Sequence, residues 1–198
     1  MGLNIDYIDG QTPLEESERE GLKIKSISSV SELNQFEQYN IEKAIQWLMF
    51  KKIKGSEILT EKFIQNLHRR MFDDVWKWAG TFRKTNKNIG IGWEQIPVQL
   101  KQLLDDCIFW VENKTYSDEE ICIRFKHRLV NIHCFPNGNG RHSRLMADLM
   151  MQKIYGKQIF NWNEGNLIST SDLRKKYISA IKLADNGKID GLIQFAKS

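Results

Sequence analysis

Residues 133–144, HCFPNGNGRHSR, lie between two stretches of helical apolar spacing and constrain the fold more than any other segment. Gly138 and Gly140 permit positive φ and close backbone approach, so the chain turns sharply there before starting a new helix. Upstream, the capping box Ser117-Asp118-Glu119-Glu120 predicts a helix that carries Ile121, Phe125, Leu129 and Ile132 inward and stops just before His133. Downstream, residues 141–154 set Leu145, Leu149 and Met150 on one side. A helix, a glycine turn and a second helix are therefore the fixed centre around which the remaining segments must pack.

Those segments are mostly helical too. Residues 28–50 place Leu33, Phe36, Ile41, Ala44, Ile45 and Leu48 on one stripe, with the serines at 28–31 supplying a cap. A second helix is expected from Thr60 to near Val75, through Phe63, Ile64, Leu67, Met71 and Phe72. Pro97 suits a first turn ahead of Leu100, Leu103, Leu104, Cys107, Ile108 and Val111, and residues 172–185 repeat the style with Leu173, Tyr177 and Ile181. Residues 78–92, WAGTFRKTNKNIGIG, lose the periodicity and read as a short hairpin or loop. The first 25 residues read as an irregular lead-in. The expectation is a mainly α fold with one short β-hairpin.

Composition narrows the class. At 198 residues with 41% hydrophobic content and only 3 Pro, the chain can bury one core and is neither collagenous nor low-complexity. No window approaches a membrane span, no secretory signal is read, and Cys107, Cys122 and Cys134 form neither a disulfide framework nor a zinc ribbon, so a cytoplasmic, reducing setting is expected. The net charge is +4, and the first twenty residues hold six acids against Arg19. The remainder, at about +9, admits anionic partners, although its basic residues are interspersed with acids as on a solvated surface.

The turn itself suggests such a partner. Successive amides around Gly138 and Gly140 can converge on an anion at a helix start, and Arg141 and Arg144, three apart, can put two cations on one face. That arrangement suits a polyphosphate better than a lone carboxylate. His133 lies across the turn, and an imidazole with an ordinary pKa of about 6.5 is a candidate general base. Phe135 reads as a core anchor of the turn, and Pro136 stiffens it.

The segment resembles the active loop of the Fic (Fido) family, H-x-F-x-[D/E]-G-N-G-R-x-x-R, at every defined position except Asn137, where the family has an acid. The likeness extends to WAGTFR and to the tail RKKYISAIKLADNG, covering roughly residues 56–196. The stretches TPLEESEREGL, ELNQFEQYNI and FPNGNGR look most like the bacterial subgroup named mobile mystery protein B. The resemblance implies a Fic domain over residues 56–198 behind a segment 1–55, and transfer of AMP from ATP to a hydroxyl side chain of a target protein (AMPylation). It implies that His133 takes the hydroxyl proton, that Gly138, Asn139 and Gly140 line the anion hole, and that Arg141 and Arg144 hold the β- and γ-phosphates. Mg²⁺ or Mn²⁺ would then meet Asn137, an amide offering one neutral oxygen where the family offers a carboxylate.

Two further expectations come with the likeness. Arg83, Lys84, Thr85, Asn86, Lys87, Asn88, Ile89 and Gly90 match the hairpin flap onto which a target peptide adds as a strand. Ser28 and Glu32, one turn apart, match an inhibitory helix whose Glu pairs with the second arginine, here Arg144, although Leu33 stands where Gly or Asn is usual. The tail helix offers Tyr177 and Ile181 to the base pocket, and core packing accounts for both equally well, as it does for Trp76 and Trp78. The alternative to an autoinhibited adenylyltransferase is a non-catalytic nucleotide-binding interaction module, favoured by Asn137. A nucleic-acid-binding reading has only the charge excess behind it.

Overall fold

The computed structural model describes residues 14–162 and 171–198. Among them the chain forms nine α-helices: α1 Glu16–Arg19, α2 Val30–Phe50, α3 Gly55–Ile58, α4 Glu61–Phe72, α5 Ile96–Asn113, α6 Asp118–Ile132, α7 Asn139–Lys153, α8 Ser171–Asp185 and α9 Asp190–Lys197. A single 3₁₀ turn, Trp93–Gln95, leads into α5.

Local signals place the helix starts. The Ser29 hydroxyl accepts the Glu32 amide at the head of α2, Thr60 accepts Phe63 at α4, and Ser117 accepts Glu120 at α6, where Asp118, Glu119 and Glu120 face the positive end of the helix dipole. Helix α6 is the centre of the molecule. It packs on α5 and α7, and Ile121, Cys122, Ile123, Phe125, Leu129 and Ile132 are all buried. An apolar residue hidden on nearly every side is what a helix surrounded by others requires. Leu14, Leu22, Ile27, Leu33 and Ile41 join the same core, so the segment ahead of residue 56 packs with the rest.

Three expectations are corrected. The stripe of α2 buries Leu33, Ile41, Ala44 and Leu48, but Phe36 and Ile45 are 42% and 39% exposed, and Glu37 and Asn40 turn inward instead. These polar groups are satisfied: the Asn40 carboxamide donates to the Arg70 carbonyl (3.0 Å) and accepts the Asp74 amide (2.9 Å), and Glu37 accepts Trp76 Nε1–H (2.6 Å). No strand occurs among the described residues, whose one extended pairing is the isolated bridge between Leu22 and Trp76. The expected hairpin over residues 83–91 is an irregular loop, because the Arg83 side chain takes the carbonyls a cross-strand ladder would use. The lead-in is also more ordered than expected where described. Residues 1–13, including the first two of TPLEESEREGL, lie outside the described residues, and α1 follows them directly. Helices α3 and α9, four and eight residues long, had no expectation.

Candidate active site

The chain leaves α6 at His133, which takes a left-handed conformation (φ 58°) and so breaks the helix. The turn is then built inward. Phe135 is fully buried and stacks on His68 with ring centroids 3.7 Å apart, and the Asn139 side chain clasps it from both sides: Oδ1 accepts the Phe135 amide (3.0 Å) and Nδ2 donates to its carbonyl (2.7 Å). Gly138 caps α7 at φ 79°, and a Cβ there would lie 2.5 Å from Phe72 Cζ, so only glycine fits. The space beside Gly140 is open. No side chain caps α7, so the amides of its first turn and the positive end of its dipole have no side-chain acceptor.

The two arginines are held differently. Arg141 pairs through Nη2 with Glu37 Oε2 (2.8 Å), and its guanidinium lies 4.9 Å over the Phe72 ring. Arg144 stands 5.6 Å over the ring of Tyr177, against which the fully buried amine of Lys126 also lies, 4.5 Å from the ring centre. Burial lowers the Lys126 pKa. Burial works to raise the Tyr177 phenol, but Lys126 and Arg144 outweigh it and the pKa ends below its ordinary value.

His133 is only 4% exposed. Burial first, and the positive charge of Arg83 second, push its pKa down to about 4, against a hydrogen bond with the Val130 backbone that raises it. The imidazole is therefore neutral at pH 7, the state that can receive a proton. Its cover is the loop: a Cβ on Gly90 would sit 2.5 Å from His133 Cβ.

The loop is pinned at both ends. Arg83, 2% exposed, donates to the carbonyls of Thr85 (2.7 Å), Ile91 (2.5 Å) and His133 (2.5 Å), and its own amide donates to Cys134. Lys87 buries its side chain against Glu18 (2.5 Å), and Thr85 also donates to Glu18 (3.4 Å). Of the eight expected docking residues, Arg83 is thus a staple and Lys87 a latch, while Lys84, Asn86, Asn88, Ile89 and Gly90 face solvent.

Glu32 stands apart from this site. Its carboxylate accepts the Ser28 amide (2.9 Å), the Ser28 hydroxyl (3.1 Å) and the Ser29 amide (3.2 Å), and the Ser28 bond holds its pKa low. In place of the expected pairing of Glu32 with Arg144, the helix brings Glu37 to Arg141. Glu37, Glu18 and His68 were missed. For two of them the sequence carries a signal: Glu37 lies on the stripe of Leu33 and Ile41, and His68 on that of Ile64 and Met71, where a polar residue among buried ones must find a partner.

The donors do not make a divalent-cation site by themselves. Asn137 Oδ1 already accepts the Gly138 amide (2.6 Å), and among the described residues no three His, Cys, Asp or Glu side chains are grouped to hold a metal.

Residues 58–151 match the sequence model of the Fic/DOC family. The protein adenylyltransferase Fic of Aedes aegypti is 25% identical over 172 residues, 84% of this chain and 32% of that protein, so the chain spans about a third of the length of such relatives. Among solved structures, Fic-1 of C. elegans superposes with a TM-score of 0.67 at 22% identity, covering 90% of this chain and 51% of that one. BepC of Bartonella tribocorum, solved with AMPPNP bound, gives 0.67 at 16% identity, covering 92% and 97%. Residues 133–144 fall inside the stretch that matches the Fic/DOC family, and the chain shares its helical fold with solved Fic structures.

Proposed function

We propose that the protein is a nucleotidyltransferase that moves AMP from ATP to a hydroxyl side chain of a target protein. One observation supports this above the others: within twelve residues a neutral His133 at the end of α6 is followed by a left-handed Gly138 and the uncapped first turn of α7, the helix that carries Arg141 and Arg144. The Asn139 and Gly140 amides would bind phosphate oxygens, with Arg141 and Arg144 on the β- and γ-phosphates, while the Gly138 amide is held by Asn137 Oδ1. The Asn139 side chain serves the fold of the turn, since both its polar atoms hold Phe135. His133 takes the proton of a Ser, Thr or Tyr hydroxyl; that oxygen bonds the α-phosphorus, the bond from the α-phosphorus to the bridging oxygen breaks, and pyrophosphate leaves. The exposed residues of the loop at 84–90 would meet the target main chain. Tyr177, beside Arg144, would lie on the γ-phosphate side of the site rather than at the base.

The restraint we propose also differs from the expected one. Glu37 neutralises Arg141, so it competes with phosphate for that guanidinium. Within the family, the sequence stretches quoted above favour the mobile mystery protein B subgroup, and three free, buried cysteines accord with a cytoplasmic setting.

Incubation with α-labelled ATP, Mg²⁺ or Mn²⁺ and a cell extract tests the proposal. Label should pass to protein and vanish in His133→Ala. A second reading, a nucleotide-binding module without transfer, is favoured by Asn137, whose side-chain oxygen is spent on its neighbour's amide. ATP binding with no label transfer under either metal would select it.

A further inference from the structure

Two turns border the site, and one imidazole lies between them. The first is the turn at Gly80, from which Arg83 and the loop spring; the second is the turn at Asn137 and Gly138 that opens α7. The Gly80 amide donates to His68 Nδ1 (3.0 Å), and His68 Nε2 faces the Asn137 carbonyl (3.0 Å). An amide can only donate and a carbonyl can only accept, so the ring must be neutral with its proton on Nε2. Nothing in the nucleotide chemistry above uses this residue.

We propose that His68 is a positioning residue whose Nε2–H bond to Asn137 fixes the shape of the anion-binding turn, the Gly80 amide holding the ring in the tautomer that makes this bond. The inference rests on reading that turn as the nucleotide site. The ring has no freedom to drift. It is wholly buried, stacked on Phe135 at 3.7 Å and 17°, and flanked by Phe72 at 4.7 Å and His142 at 5.6 Å. Both turns approach it through left-handed glycines. A Cβ on Gly80 (φ 77°) would lie 2.7 Å from the Gln65 carbonyl, and one on Gly138 would lie 3.3 Å from His68 Nε2 besides meeting Phe72. Burial keeps the pKa of His68 well below 6.5, so both bonds persist at neutral pH.

Two variants separate the arms of the ring. His68→Gln sets an amide donor near Nε2 and keeps the bond to Asn137; His68→Asn sets an acceptor near Nδ1 and keeps only the bond to Gly80. Amide hydrogen exchange over residues 137–141 and the ATP dissociation constant are measured for both beside their melting temperatures. In His68→Asn, exchange should quicken and ATP affinity fall by about tenfold each, while His68→Gln stays within about threefold of wild type. Equal effects in both variants, tracking the loss of melting temperature, would reduce His68 to core packing and overturn the proposal, as would no effect in either. If wild type fails to bind ATP but the exchange contrast stands, the nucleotide reading falls and the role of His68 in the turn remains. Should neither variant fold, ¹⁵N spectra of wild-type histidines decide: His68 protonated on Nδ1, or on both nitrogens at pH 7, contradicts the proposal.

Discussion

Gly138 concentrates the demands on the site into one position. Its φ of 79° and the 2.5 Å approach of Phe72 to any Cβ mean that Gly138→Ala must either strain the backbone or push the α4 ring aside. The expected cost is about 2 kcal/mol or more of stability, read from the denaturant midpoint, with loss of nucleotide binding. A change below about 0.5 kcal/mol would mean that the turn relaxes freely. Glu37 carries a different prediction. Glu37→Gln keeps an acceptor for Trp76 Nε1–H but removes the charge paired with Arg141, so ATP affinity should rise several-fold. Unchanged affinity, measured by titration calorimetry, would make the pair structural only.

At the scale of elements, the loop over His133 is tied to α1 through Glu18 as well as across itself through Arg83. Lys87 and Glu18 are nearly enclosed, and breaking a buried pair by removing one charge leaves the other uncompensated. Glu18→Gln should therefore speed amide exchange across residues 84–91 by about tenfold while leaving α6 and α7 protected. Exchange unchanged in that loop would show that Arg83 alone holds it. Such pairings explain what could be read from the chain and what could not. Thr60, Pro97 and Ser117 mark α4, α5 and α6 to within a few residues because caps and apolar stripes are local. The glycine turn was legible for the same reason. The loop was not: Arg83 consumes its carbonyls, and Glu18 reaches Lys87 across 69 positions. Glu37 meets Arg141 from a helix far back in the chain, and a pairing at that range leaves no mark in a window of ten residues.

The whole molecule titrates through its interior. All four histidines, His68, His127, His133 and His142, have pKa values lowered chiefly by burial, to about 4 at His133 and about 3 at His142. Lowered values in the folded state mean that the unfolded chain binds protons first as pH drops through about 6.5, so acid destabilises the fold. For His133 and His142 the loss at pH 5 is roughly 2 kcal/mol each. Asp148 acts in the opposite sense. Burial raises its pKa to about 7 despite hydrogen bonds from Trp162 and Phe160, so it favours the fold as pH falls from about 7 toward ordinary carboxylate values. One carboxyl offsets about one histidine, and the melting temperature should drop between pH 7 and pH 5. A flat profile would mean that the imidazoles are accessible to solvent.

The central claim is that the turn at residues 137–141 grips a triphosphate. Titration calorimetry with ATP on wild type and Arg144→Ala tests it most directly. The account predicts saturable one-site binding that weakens by about tenfold or more when the Arg144 charge is removed, with the melting temperature little changed. Heats that show no binding in wild type or in Glu37→Gln, or binding indifferent to Arg144, would contradict it.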